Sequence, residues 1–496
     1  MSFNPADLNG VLPALILAGG AMLLLTSEVF LRTADPDRRY QAWVAAAVAA
    51  AGLWAAVAQF GDPALPLFSG AAVSDAFARV IAAVVCAALL LSCVVAFSYL
   101  EVLRATRGEF YALALFSASG MCLLAQATDL IVIFISLEVM SLSVYALCAY
   151  LRRGKRPAEA AFKYFILGSF ASAIFLYGAA LAFGASGSTR LADVAAASRT
   201  GGAGTLLLAS AALLASGFAF KVAAVPFHMW VPDVYDGAPA PVTGFMAAGV
   251  KAAAFATLVR ILVTGYGDTA AGAHGWRGVI VLLAYLTMFA GNLLAVPQRS
   301  VKRMLAYSSI AHAGYLLVAV AAMGTTAPRA DATEALLFYL AAYGATVIGA
   351  FAVVALIERK LALSGLGDDL SSWAGLSERH PALAAAMSLF MVSLAGIPPT
   401  AGFMAKLTVF RSAIEADLVP LAVFGVITSV AGLYYYLRVV VYVYMVPEAK
   451  PGAIEGGRLL SAGLAIAGCA LIVLWMGVQP GTFASIAQTA ATAFVR

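Results

Sequence analysis

Runs of apolar residues long enough to cross a bilayer recur along nearly the whole of this chain, separated by short polar stretches. A membrane-spanning helix needs about 20 such residues. On that rule the chain reads as about fourteen spans, over 11–31, 41–60, 78–99, 110–127, 129–150, 160–184, 205–229, 240–264, 277–297, 303–324, 333–358, 382–411, 418–446 and 459–478. The expected fold class is an all-α polytopic membrane protein. The longest connections, 185–204 and 358–381, have room for a short helix each. No lysine or arginine precedes the first run and no small-residue cleavage site ends it, so it is expected to be a retained span.

Composition sharpens this picture. The 496 residues are 63% hydrophobic and 11% charged, with mean hydropathy +0.94; a soluble domain is roughly half apolar and a quarter charged. No sizeable soluble domain is expected. The net charge of +5 says less than its distribution. Most loop arginines and lysines fall in odd-numbered connections, among them Arg104, Arg107, Arg156, Arg299 and Arg379. That asymmetry predicts odd loops in the cytoplasm and both termini on the periplasmic side. The seventh connection, with Asp233 and Asp236 and no basic residue, breaks the pattern. Nothing interleaves basic and aromatic residues as a nucleic-acid surface would. The five cysteines lie in apolar runs without a CxxC pair, which fits small core residues and not iron–sulfur ligands.

Charges inside the apolar runs carry the candidate chemistry. A lysine at bilayer depth costs about 2.5–3.5 kcal/mol on insertion scales, and three stand there: Lys221, Lys251 and Lys406. Lys221 precedes Pro226 in the seventh span, and Lys406 follows Pro398 and Pro399 in the twelfth. Proline removes a backbone donor and breaks or kinks a helix. Irregular backbone at membrane depth is tolerated where protein or water satisfies it, so two broken helices each beside a lysine point to a polar pathway; ordinary proline kinks are the plain alternative. Lys251 lies mid-span, too deep to snorkel, where a lysine able to release its proton serves as a relay and a static buried ion pair is the other reading. Glu138, central in the fifth span, is the expected charge partner of Lys221, with Ser141 and Tyr145 on the same helix face.

Lys163 is either a snorkelling anchor near the cytoplasmic end of the sixth span or part of the path. His312 in the tenth is a packing residue or a relay between lysines, a role that suits a group titrating near neutrality. His228, beside Pro226, is a weaker candidate for a gate, while His274 and His380 are expected in loops. The segment "AEAAFKYF" at 158–165 resembles "TEALLFYL" at 333–340, pairing Glu159 with Glu334 and Tyr164 with Tyr339. Five spans separate the two, and an odd number inverts the topology of a repeat.

Three longer segments then make a resemblance specific: "PFHMWVPDVYDGAPAPVTGFMAAGVKAAAF", "RSVKRMLAYSSIAHAGYLL" and "SLAGIPPTAGFMAKLTVF". Over about residues 110–447 the chain resembles the antiporter-like membrane subunits of respiratory complex I, the bacterial NADH–quinone oxidoreductase. The resemblance implies two inverted five-helix repeats and broken helices seven and twelve. The corresponding division is 1–109, a three-helix segment; 110–264, the first repeat; 265–447, the second; and 448–496, the last helix and a tail. It implies proton-relay roles for Glu138, Lys221, Lys251 and Lys406, with His312 and Lys163 as further candidates. No cofactor or metal is expected in this chain. FMN, iron–sulfur clusters and quinone are expected in partner subunits, and neighbouring membrane-arm subunits and the lipid of the inner membrane are the expected partners. Three rivals remain open at this point: a subunit of a multi-subunit sodium/proton antiporter, a non-pumping assembly subunit whose charges lock helices together, and a haem protein using His228 and His312.

Overall fold

The structure, a computed structural model, describes residues 5–30, 39–151, 155–200, 204–267, 275–324, 329–364, 369–447 and 460–495. The apolar runs fold into helices α1 (Leu12–Phe30), α2 (Arg39–Ala58), α3 (Ala76–Val102), α4 (Gly108–Gln126), α5 (Leu130–Cys148) and α6 (Lys155–Ser186). The seventh span, α7a (Gly204–Val222), breaks before Pro226, and a short helix, α7b (Val231–Gly237), follows in the connection. Then come α8 (Ala240–Gly265), α9 (Trp276–Ala295), α10 (Val301–Ala322) and α11 (Arg329–Ser364). The twelfth is split into α12a (Pro381–Ala395) and α12b (Ala401–Glu415), followed by α13 (Val419–Met445), α14 (Leu460–Val478) and α15 (Gly481–Val495). Among the described residues 13 helices are long and apolar enough to cross a membrane, and the broken twelfth completes the expected fourteen. The all-α polytopic class follows directly from the hydropathy pattern.

The departures are local. An antiparallel hairpin, β1 (Leu65–Leu67) with β2 (Ala72–Ser74), links α2 to α3. The two long connections do hold short helices, Leu191–Thr200 in one and Leu370–Trp373 with Leu376–Arg379 in the other. The segment expected to be a tail is instead α15, 15 residues long. It is too short to span, and it lays Ala487, Ala490 and Ala491 against the bundle, packing on α11 and α3.

Burial divides the helices into a shell and a core. Within α8, α10 and α11 the apolar window is 94% buried, against 33% for α1 and α14. The shell helices turn large apolar side chains outward, such as Phe170 on α6, Leu282 on α9 and Ile427 on α13, which in hydrocarbon carries no hydrophobic penalty. Small residues bring the inner backbones together, as usual between membrane helices. A Cβ on Gly291 of α9 would lie 2.4 Å from the Ala311 nitrogen of α10, and one on Gly314 of α10 would lie 2.7 Å from the Met288 nitrogen of α9. Helix α8 is α-helical over Lys251–Val259 and π-helical on both sides, over Met246–Val250 and Arg260–Gly265.

Candidate functional site on the buried polar axis

The two helix breaks share one construction. Helix α12a ends in a Schellman turn: Ile397 N–H donates to Val392 O at 3.1 Å and Gly396 N–H to Ser393 O at 2.9 Å, with Gly396 left-handed at φ 83°. Helix α7a ends the same way, with Ala224 N–H on Ala219 O at 2.8 Å and Ala223 N–H on Phe220 O at 3.2 Å. There the left-handed position is Ala223, φ 65°. Groups freed by the first break find partners, Trp230 Nε1–H donating to Phe220 O (3.0 Å) and Val225 N–H to Thr287 Oγ1 (2.9 Å). Each break puts the carbonyl end of a half-helix, the negative end of its dipole, beside a lysine.

Lys406 reaches back across the second break. Its ammonium donates to Leu394 O and Ala395 O, both at 2.9 Å, and to Ser429 Oγ at 2.8 Å, so all three donors are satisfied. Lys221, on the last turn of α7a, donates to Ser141 Oγ (2.8 Å) and Tyr145 Oη (3.1 Å) on α5. The close approach of Tyr145 depends on Gly168 of α6, where a Cβ would sit 1.9 Å from the phenol oxygen. The expected direct pairing of Lys221 with Glu138 is not formed: Glu138 accepts from Ser172 Oγ at 2.5 Å, and the Ser141–Tyr145 face meets the ammonium first. Lys251 donates to the Ser309 carbonyl (2.5 Å) and hydroxyl (2.6 Å) and lies 4.8 Å above the Tyr343 ring.

His312 lies between Lys251 and Lys406. Tyr343 touches it on one side, ring centroids 4.9 Å apart, and that same ring carries Lys251. Tyr315 touches it on the other, at 5.7 Å, and Lys406 stands 5.2 Å over that ring. The axis therefore runs Lys251, Tyr343, His312, Tyr315, Lys406, with every member buried. From Lys221 the described aromatic contacts lead through Tyr164 and Trp230 to Tyr235.

Lys163 is placed apart from this axis. Its ammonium bridges Glu159 and Asp233, each at 2.7 Å, while Asp233 also takes Arg303 at 2.9 Å. Its partners Glu159 and Asp233, with Arg303, line a cavity of about 560 Å³ together with Arg156, Asp236 and Arg299. Burial of Asp233 opposes its ionisation, but hydrogen bonds from Lys163 and Arg303 outweigh it and hold the carboxyl below the ordinary aspartate range. The exceptional acidic connection thus supplies the anion that binds two neighbouring helices. His228 Nδ1 is buried without a hydrogen-bond partner, and His274 lies outside the described residues.

Comparison with known proteins gives this arrangement its setting. The family described as "NADH:quinone oxidoreductase/Mrp antiporter, TM" matches residues 127–432. NADH-quinone oxidoreductase subunit N of Myxococcus xanthus is 47% identical, covering 99% of this chain and 98% of its own length. The chain belongs to the subunit N family. A chain of Thermus thermophilus respiratory complex I with bound aureothin superposes with TM-score 0.79 at 35% identity, covering 95% of this chain and 98% of that one. A chain of the Mrp complex from Dietzia gives TM-score 0.85 at 23% identity over 98% and 97%, a likeness of fold alone.

Two buried ion pairs of this subunit N relative escaped sequence reasoning. Arg260 of α8 grips Asp75, the N-cap of α3, through Nη1 (3.0 Å) and Nη2 (3.1 Å), between the rings of Phe77 and Phe494. Lys302 of α10, 1% exposed, pairs with Glu358 at 2.8 Å, whose other oxygen accepts from Tyr99 Oη and Ala240 N–H, both at 3.1 Å. Lys302 and Arg303 are neighbours at the start of α10, and no local sequence signal says which of the two turns inward. The pairs set a contrast. Lys302 and Arg260 hold carboxylates, whereas among the described contacts Lys221, Lys251, Lys406 and His312 hold only hydroxyl and carbonyl groups.

Proposed function

We propose that this chain is a proton-translocating membrane-arm subunit of NADH–quinone oxidoreductase, part of an enzyme complex in which partner subunits carry the flavin, iron–sulfur and quinone chemistry. The observation that carries the reading is the set of four buried basic groups bonded to neutral oxygens. An ammonium tied to a carboxylate cannot lose its proton without stranding an anion. One held by hydroxyls and carbonyls can, because a hydroxyl donates as readily as it accepts. Protons enter from the cytoplasm toward Lys221, with the Lys163–Asp233–Arg303 cluster at the mouth. They pass through Lys251 and His312 to Lys406 and leave on the periplasmic side. Glu138 modulates Lys221 through the intervening Ser141 and Tyr145 and not by direct contact.

The reading includes an inner-membrane location, periplasmic termini, and repeats over 110–264 and 265–447 that each contribute one broken helix. Replacing Lys221 with alanine is expected to leave the complex assembled but to lower proton movement per electron and coupled turnover in NADH-energised vesicles; an unchanged rate and stoichiometry refutes the scheme. Co-purification with flavin and iron–sulfur subunits separates this reading from a sodium/proton antiporter.

A further inference from the structure

An apolar cavity of about 390 Å³ lies away from the buried polar axis, walled by the ends of α2 and α14, the N-terminal parts of α3 and α11, and α15. These helix ends share one membrane face, so the cavity stays within one leaflet. From Arg79 to Leu91, its limits along α3, the helix rises about 18 Å. The hydrocarbon of one leaflet is roughly 15 Å deep. Facing stripes of α3 (Ala83, Ala87, Leu91) and α11 (Ala341, Gly344, Ile348) form the long walls. A Cβ on Gly344 would meet ordinary contacts, 3.5 Å from Ala248 and 4.0 Å from Val84. Close helix packing therefore does not demand glycine there; the small residues keep a channel open. Val57 of α2, 59% exposed, and Ile486 of α15, 40% exposed, line the cavity and face outward, which opens it sideways to the bilayer.

Among the described lining residues Arg79, in the first turn of α3, is the one that is not apolar. Its guanidinium donates to Ser74 Oγ (3.2 Å from Nε), to the Ser74 and Pro63 carbonyls (3.0 and 3.1 Å from Nη2) and, through Nη1, to the Asp62 carbonyl. Every described acceptor is a neutral oxygen, and the second Nη1 hydrogen has none. The nearby Asp75 carboxylate is held by Arg260. A cation without a bonded carboxylate thus stands at the surface end of a leaflet-deep apolar channel. Water is a poor occupant, since it needs several polar partners, and an empty channel forfeits dispersion contacts along its walls. We propose that this cavity binds one acyl chain of a glycerophospholipid, with the phosphate drawn to Arg79. Such a lipid supplies both things the site lacks: hydrocarbon for the channel and an anion for the guanidinium. The isoprenoid tail of a quinone supplies the first alone.

The test uses the intact complex in vesicles of phosphatidylethanolamine and phosphatidylglycerol, with a trace of phosphatidylglycerol carrying a mid-chain diazirine. After irradiation, peptide mass spectrometry is expected to find adducts on 83–91 and 337–348 well above those at outward residues such as Phe170 and Ile427. Ala341→Phe, which fills the channel, is expected to remove them. Arg79→Gln is expected to lower them about tenfold, the weight of one charge-assisted hydrogen bond. A diazirine-tagged isoprenoid quinone is expected to label the channel no more than the outward faces. Adducts spread evenly over outward faces, or adducts on 83–91 that survive Ala341→Phe, overturn the site. Preference for the quinone probe, or phospholipid labelling unchanged by Arg79→Gln, overturns the phospholipid as its occupant. If Arg79→Gln does not assemble, the preference between the two probes in the wild-type complex decides the occupant, and Ala341→Phe decides the site.

Discussion

At the scale of single residues, what matters is what each buried cation leaves behind when removed. Arg260 leaves Asp75, whose side chain is 7% exposed, as an unpaired buried anion. Breaking such a pair costs about 3–5 kcal/mol. Arg260→Met is therefore expected to lower the thermal stability of the purified complex strongly, and adding Asp75→Asn to recover part of it. Lys406→Met strands no carboxylate, only two carbonyls and the Ser429 hydroxyl; a smaller stability loss and a large pumping loss are expected. Melting curves and pumping assays on the three variants check the contrast. Depth was legible for Lys221, Lys251 and Lys406 because each lies inside an apolar run. Their partners were not legible, because hydroxyls from α5, α10 and α13 converge only in the folded bundle. The Glu138–Lys221 pair is the instructive miss: Ser141 and Tyr145 were recognised on the right face, and they stand where the carboxylate was expected.

Among elements, the two broken helices invite a paired substitution. Gly396 and Ala223 occupy equivalent left-handed positions, but their surroundings differ. A Cβ at Gly396 would lie 2.8 Å from Lys406 Cδ and 3.1 Å from its Nζ, so Gly396→Ala is expected to push the ammonium off its carbonyls and reduce pumping. Ala223→Gly removes a strained methyl-bearing position, roughly 1–2 kcal/mol of left-handed strain, and is expected to leave pumping intact. The breaks themselves were readable from proline spacing. The Schellman turns were not, since the first uses alanine where glycine is the usual signal.

For the whole molecule, α15 is the element that hydropathy could not find: its 15 residues are too few to span, yet it closes the bundle. Phe494 stacks on Phe77 at 4.5 Å and on the Arg260 guanidinium at 5.4 Å. Phe483 and Ile486 roof an apolar cavity of about 390 Å³ between α2, α3, α11 and α14. Deleting 481–496 is expected to expose the Arg260–Asp75 pair and to lower the melting temperature of the complex, while pumping by the fraction that remains folded is kept.

The glycine contacts between α9 and α10 bear on how the chain is made. Spans leave the ribosome in order, and α10 arrives with Lys302, Arg303 and His312 aboard, a poor candidate to partition into lipid alone. Its predecessor α9 has higher mean hydropathy, 2.0 against 1.5. Gly291 and Gly314 let the two backbones meet without side chains between them, so the hairpin can enter as one unit before α11 exists to cover the polar face. Bulk at either glycine would therefore act during synthesis, on how much protein reaches the membrane, before it acted on anything the finished subunit does.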